Sequence, residues 1–147
     1  MIKVALVKDN GEVAYTVSPA VDDMYLDGGT YDGCVARHID HTANDADVIA
    51  TWYWDKEWKV RSKKANDWYD WTNNTWVFNT KRFWAFVREK RNLSMSECDW
   101  THTTDAPLSQ LQKTQWASYR QALRDIPTTY PNATSLENIT WPTKPGA

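Results

Sequence analysis

The sequence has few of the residues that usually build a protein core. Isoleucine, leucine, valine and phenylalanine together account for 25 of its 147 residues. Such scarcity is typical of disordered chains, but those also carry a high net charge, and here 17 basic residues nearly balance 19 acidic ones. Ten tryptophans and seven tyrosines supply apolar bulk instead, since each buries roughly 150–250 Å² when enclosed. We therefore expect a folded protein whose core is largely aromatic.

Signals for membranes and secretion are also missing. The N-terminal apolar run is interrupted by Lys3 and Lys8, which makes it too short and too charged for a signal peptide. No run approaches the roughly eighteen apolar residues of a membrane span. Because the charges balance, the chain offers no broad attraction to nucleic acids or anionic membranes. We therefore expect no nucleic-acid partner and no membrane partner. We also expect the protein to be made and used in the cytoplasm of its host.

Cysteine is scarce as well, with Cys34 and Cys98 far apart in sequence, and we expect both to be free thiols. Cys34 lies close to His38 and His41, but zinc needs four convergent ligands, usually from paired short spacings. Several acidic residues nearby do not follow the EF-hand pattern. These are Asp22, Asp23, Asp27 and Asp32. The sequence therefore predicts no metal and no other cofactor.

Recognisable catalytic motifs are absent from the sequence. It has no Gly-rich phosphate loop, no GxSxG nucleophile elbow and no HExxH pair. Five glycines in a small chain give little material to frame a cleft. We therefore predict that the protein is not an enzyme.

The predicted fold class is α+β, with small antiparallel β-hairpins in the N-terminal half. Asn10-Gly11 separates two β-prone runs, 2–7 and 12–17, and this dipeptide favours a type I′ hairpin turn. The turn-rich stretch 18–33 predicts an irregular exposed loop. Residues 33–47 fit either a strand or a short helical turn.

Six tryptophans within 25 residues form the most unusual part of the sequence. The strand candidates 48–54 and 58–61, and then 68–71 and 76–78, predict two hairpins with facing tryptophans. Some of these rings must fill the core, while exposed ones could stack on sugars or anchor a protein interface. The acidic residues among them argue against binding of single-stranded nucleic acid. The candidate partner-binding residues here are Trp52, Trp54, Trp58, Trp68, Trp71 and Trp76.

Helical periodicity begins at residue 80. A first helix is predicted over about 80–92, with Thr80 as its N-cap and Asn92 at its end. Beyond the helical part of the chain, the tail contains Pro131, Pro142 and Pro145 and is predicted to be extended.

A second helix is predicted over about 106–125. Asp105 can cap it, Pro107 suits its first turn, and Pro127 is predicted to end it. The apolar spacing places Leu108, Trp116, Tyr119, Leu123 and Ile126 on one face. Arg120 and Arg124 lie beside this stripe and are candidates for partner contacts.

An ordered series of spaced motifs runs from residue 88 to residue 142. It reads Arg88-x-x-Arg91-Asn92, Asp99-Trp100, Asp105-x-Pro107-Leu108, Trp116-x-x-Tyr119-Arg120-x-x-Leu123-Arg124-Asp125-Ile126-Pro127 and Trp141-Pro142. This series resembles the tail assembly chaperone family of tailed bacteriophages, whose members are often called tail fibre assembly proteins. The chain departs from the family at Ser94 and Met95, where two leucines are usual.

The resemblance implies a non-enzymatic phage protein that binds tail or tail-fibre proteins and assists their folding, trimerisation or attachment. We expect a Trp-rich variable region over 1–79, which determines partner choice, and a helical region over 80–147. The expected structural residues are Asp99, Trp100, Asp105, Pro107, Leu108, Trp116, Tyr119, Leu123 and Ile126. Two alternatives stay open: a permanent virion component at a baseplate, fibre joint or fibre tip, and a carbohydrate-binding adhesin at the tip.

Overall fold

The computed structural model describes residues 2–20 and 25–146. The chain divides into two compact units, Met1–Val77 and Phe78–Ala147, called here the N-terminal unit and the C-terminal unit. The described residues contain three α-helices and antiparallel sheets, so the predicted α+β class is confirmed. Within these residues, no helix combines the length and the apolar character that spanning a membrane requires.

A four-stranded antiparallel sheet forms the base of the N-terminal unit. Its strands are β1 (Ile2–Val7), β2 (Val13–Ala20), β3 (Thr30–Tyr31) and β4 (Cys34–Ile39), in the order β2-β1-β4-β3. Burial on both faces explains the nearly continuous apolar run of the central strand β1, in which Val4, Ala5 and Leu6 are fully buried. The sequence left residues 33–47 open between a strand and a short helical turn. The structure forms a strand, β4, over the first part of this range. β3 lies within the stretch that the sequence predicted as an irregular loop, so that prediction was wrong there.

The first hairpin forms as predicted, but its turn differs from the prediction. The Gly11 N–H donates to the Lys8 carbonyl and the Lys8 N–H donates to the Glu12 carbonyl, each at 2.9 Å. Gly11 has φ 85°, while Asn10 is not among the residues with positive φ. This is a type I turn followed by a glycine bulge rather than a type I′ turn. The bulge brings Gly11 so close to Trp54 that an added Cβ would lie 2.6 Å from the Trp54 carbonyl oxygen.

A short helix, α1 (Asp45–Thr51), follows the sheet and occupies part of a predicted strand. Asn44 caps it by accepting the Asp47 N–H at 3.1 Å. Val48 is fully buried in a cluster with Ala5 and Val13, so the helix packs on the sheet. The prediction of a strand over 48–54 was therefore wrong for 48–51, because an N-cap and tertiary burial override local β propensity.

Two small hairpins complete the N-terminal unit. β5 (Trp52–Trp54) pairs with β6 (Trp58–Val60), and β7 (Tyr69–Thr72) pairs with β8 (Thr75–Phe78). Trp54 lies directly opposite Trp58, as predicted. Asn73 and Asn74 have φ values of 49° and 59°, which is the type I′ conformation that a two-residue hairpin loop favours.

The first helix of the C-terminal unit, α2 (Thr80–Ser96), begins and ends differently from the prediction. Its N-cap is Asn79, whose side chain accepts the Arg82 N–H at 2.9 Å, and not Thr80. The helix continues past Asn92 as far as Ser96, and the Asn92 side-chain oxygen accepts from the Arg91 guanidinium.

The second helix of this unit, α3 (Gln110–Thr129), also begins later than predicted. Ser109 and Gln112 form a reciprocal capping box, with distances of 2.8 and 3.2 Å. Asp105 and Pro107 precede this cap and do not begin the helix. Pro127 lies inside the last turn, where it removes one helical hydrogen bond. The helix continues to Thr129, so the prediction that Pro127 ends it was wrong.

α2 and α3 pack on each other through buried side chains. Phe83 and Val87 are fully buried on α2, and Tyr119, Leu123 and Ile126 are buried on α3. The apolar stripe predicted for α3 is therefore buried at these three positions. Past α3, the tail makes a 3-10 turn at Leu136–Asn138 and buries Ala133 and Ile139.

Candidate partner-binding surfaces

The two faces of β5 carry separate clusters of aromatic rings. On one face, Trp58 contacts Trp52 and Trp54, with ring centroids 5.7 and 5.2 Å apart. Tyr53 points to the opposite face and lies 4.9 Å from Trp71. Each hairpin is thus held by contacts between rings, and Trp52 and Trp58 also pack against the buried cluster of Ala5, Val13 and Val48.

Arg61 is enclosed by the second ring cluster. Its guanidinium carbon lies 4.3 Å from the ring centroids of both Trp71 and Trp76. Its side chain is 5% exposed, and Nη1 lies 3.2 Å from Glu12 Oε1. Burial lowers the pKa of Arg61, and the Glu12 carboxylate opposes that shift. Desolvated cation–π contacts contribute on the order of 2 kcal/mol. Arg61 therefore joins the connector between β6 and β7 (61–68) to the β7–β8 hairpin.

The structure leaves none of the six candidate tryptophans fully exposed. Trp71 is 5% exposed, and the other five are half-buried. The guanidinium of Arg37 covers the ring of Trp54 at 4.4 Å. Val60 (73%) and Val77 (46%) on the same hairpins are more exposed than these rings.

Arg120 lies inside the C-terminal unit and is 8% exposed. Its Nη1 donates to the Met95 carbonyl at 2.9 Å, contacts Cys98 Sγ at 3.3 Å and pairs with Asp99 at 2.9 Å. Desolvation lowers its pKa, but the hydrogen bonds to Cys98 and Asp99 outweigh this, so the pKa of Arg120 is raised. These contacts give Arg120 a structural role. Arg124 is exposed, and among the described residues its side chain reaches only Gln121, at 3.4 Å.

The remaining residues singled out in the C-terminal unit lie in its surface layer. Trp100 is 47% exposed and Trp116 is half-buried, and their ring centroids are 6.0 Å apart. Asp105 and Pro107 are exposed, whereas Leu108 is half-buried.

The sequence analysis did not predict an exposed apolar surface on α2. Phe86 (40% exposed) and Leu93 (61% exposed) lie on one helical face with Lys90 between them. Together with Glu89 they line a shallow depression of about 260 Å³. The Lys90 ammonium lies 4.7 Å from the Trp141 ring. The i, i+4, i+7 spacing of Phe86, Lys90 and Leu93 was the available signal.

The cysteine and acidic candidates serve ordinary structural contacts. Cys34 and Cys98 are buried free thiols, as predicted. Asp27 accepts the His38 N–H at 3.0 Å, whereas Asp22 and Asp23 lie outside the described residues. In the part of the chain that the structure describes, no group of three His, Cys, Asp or Glu side chains is placed to hold a metal ion.

Comparison with known proteins gives a result for the C-terminal unit. Residues 84–146 match the family model described as phage tail assembly chaperone protein. The match covers less than half of the chain, and it confirms the resemblance predicted over 88–142 for this segment. No curated protein and no solved structure matches the chain. The family match supports an accessory or assembly role in phage tails and suggests a non-enzymatic one.

Proposed function

We propose that this protein binds a phage tail or tail-fibre protein and assists its folding, trimerisation or attachment, in the host cytoplasm during assembly. The observation that carries the proposal is the family match over residues 84–146. The proposed activity is binding without catalysis.

Exposed apolar side chains on the helical unit supply the binding energy in this proposal. Phe86 and Leu93 share a face of α2, and Trp100 and Leu111 are 47% and 69% exposed elsewhere in the unit. Apolar surface that is covered by a partner contributes about 25 cal/mol per Å². A fibre segment whose apolar residues await trimerisation would be shielded by such a surface.

Partner choice is proposed to lie in the N-terminal unit, at the edges of the tryptophan hairpins. The rings are held in place by their neighbours and by Arg61, so the surface loses little side-chain freedom on binding. Rigid aromatic edges beside Val60 and Val77 are typical of an interface that discriminates by shape.

Co-expression tests the proposal. The chain is produced with each tail and fibre protein encoded by the same genome, and soluble trimer is measured by size-exclusion chromatography with light scattering. We expect one of these proteins to become soluble or trimeric only in the presence of the chain. Equal yields without the chain for every one of them would overturn the proposal.

A pair of matched variants locates the binding surface. Phe86→Ser with Leu93→Ser should reduce the yield of soluble partner. Lys81→Ser with Ala117→Ser changes one exposed position on α2 and one on α3, and should leave the yield unchanged. Mass spectrometry of purified particles then separates a protein that leaves after assembly from a permanent virion component.

A further inference from the structure

A groove of about 460 Å³ opens on the N-terminal unit, beside the ring cluster that encloses Arg61. Its floor is apolar and includes Ala14 of β2, Ile49 and Ala50 of α1, and the Trp76 ring. Ile49 is 39% exposed, so the floor is open to solvent. The volume lies within the range of cavities that bind ligands in proteins.

The rim of this groove is basic although the whole chain has a net charge of −2. Four cationic side chains line it, against one carboxylate. That carboxylate, Glu12, is already engaged by Arg61 at 3.2 Å and Lys8 at 3.7 Å. Lys63 and Lys64 are exposed and have no ion-pair partner within the described residues. The groove therefore carries an uncompensated positive charge above an apolar floor.

This combination selects among possible occupants. A nucleic-acid backbone would use the lysines but would leave Ile49 and Ala50 without apolar contacts. An extended peptide with alternating acidic and apolar side chains satisfies both parts of the groove at once. Complementary charge at a rim mainly raises the association rate and fixes the register of the bound segment.

We propose that this groove binds an extended acidic segment of a protein partner, with carboxylates paired to Lys63 and Lys64 and an apolar side chain seated on Ile49. The identification of that partner as a tail protein rests on the proposed function. The binding chemistry of the groove does not rest on it.

Fluorescence anisotropy with the full chain tests the groove directly. The probe is a labelled short peptide in which pairs of glutamates alternate with single leucines, and its matched control has glutamine in place of glutamate. We expect the acidic peptide to bind at least about tenfold more tightly than the control, with an affinity that falls as salt is added. No binding of the acidic peptide would overturn the proposal.

Two charge-matched double variants locate the site. Lys63→Glu with Lys64→Glu should weaken binding by about tenfold or more, whereas Lys56→Glu with Lys81→Glu should change it by less than about twofold. Equal losses in the two variants would show non-specific attraction and contradict the proposal. A single-stranded thymidine oligonucleotide that binds more tightly than the peptide would also contradict it.

The apolar part of the groove has its own test. Ile49→Ser should weaken binding of the leucine-containing peptide but not of a peptide with serine in place of leucine. An equal effect on both peptides would remove Ile49 from the site.

The assembly assay separates failure of the groove from failure of the proposed function. If the chain assists a tail protein and Lys63→Glu with Lys64→Glu does so equally well, the groove proposal fails while the function stands. If the chain assists no tail protein and the peptide still binds as expected, the function fails while the groove stands.

Discussion

The two units of this protein hold their elements together with different side chains. Both bury aliphatic residues, such as Leu6 and Leu123, so the expectation of a largely aromatic core was wrong. The N-terminal unit fixes its hairpins with rings and with an arginine held between Trp71 and Trp76. The C-terminal unit buries a regular helical stripe, in which Leu123 and Ile126 are each 1% exposed. Two-stranded hairpins are marginal alone, so they need large rings to bury enough area, whereas helices achieve burial by periodicity.

The two units also differ in the evidence for their function. The family match falls at 84–146, in the helical unit, whose frame is set by spaced positions along the sequence. The aromatic unit depends on which rings meet in space, and the family match does not extend into it. Four pairs of substitutions test whether the two units depend on these different contacts.

The largest effect is expected for Trp71→Ala in the aromatic unit. Trp71 is 5% exposed and contacts Tyr53, Trp76 and Arg61, so its removal should cost about 3–5 kcal/mol of unfolding free energy. Hydrogen exchange should show the loss of protection chiefly in residues 2–20 and 25–77. Val60→Ala, at a 73% exposed position, is the control and should cost less than about 0.5 kcal/mol. A cost below about 1 kcal/mol at Trp71 would remove the ring cluster as the support of this unit.

Leu123→Ala makes the corresponding test in the helical unit. The side chain is 1% exposed, and its truncation should cost about 2–5 kcal/mol in urea denaturation followed by far-ultraviolet circular dichroism. Leu111→Ala removes the same atoms from a 69% exposed position on the same helix and should be nearly neutral. Similar costs at the two leucines would mean that the α3 stripe is not the core.

The two arginines beside that stripe should differ. Arg120→Met removes charged hydrogen bonds to Met95 and Asp99 and should cost about 1.5–3 kcal/mol of unfolding free energy. Arg124→Met removes an exposed side chain and should leave stability within about 0.5 kcal/mol. Both costs are measured by chemical denaturation. A larger cost for Arg124→Met than for Arg120→Met would contradict the structural role of Arg120 and favour the partner contact that the sequence predicted for it.

The smallest effect concerns the start of α3. Ser109→Ala breaks the capping box and should cost about 1 kcal/mol, measured by thermal or urea unfolding. Asp105→Ala, at the N-cap position that the sequence predicted, should cost nothing measurable. A loss at Asp105 that exceeds the loss at Ser109 would contradict the observed helix start.

Local patterns in the sequence were sufficient for the elements whose signals are local. The facing pair Trp54 and Trp58, the existence of α2 and α3, and the burial of Leu123 could all be predicted from spacing. The predicted helix starts were wrong because several residues that can cap a helix lie within a few positions of one another. Only the backbone shows that Ser109, and not Asp105, is the N-cap of α3.

Contacts between distant parts of the chain could not be predicted in the same way. The burial of Val48 on the sheet decides that 48–51 is helical. The enclosure of Arg61 depends on Trp71 and Trp76 from the two strands of the β7–β8 hairpin and on Glu12, 49 positions away in the sequence. The basic groove joins β2, α1 and the connector after β6, and no single stretch of sequence contains its charge and its floor together.

A role in tail assembly is tested most directly by deleting the coding sequence from the genome that carries it and examining the particles by electron microscopy. We predict particles that lack a tail or fibre component, with normal particles restored by the wild-type chain and not by Phe86→Ser with Leu93→Ser. Complete tails and fibres in normal yield after the deletion would contradict the proposed function.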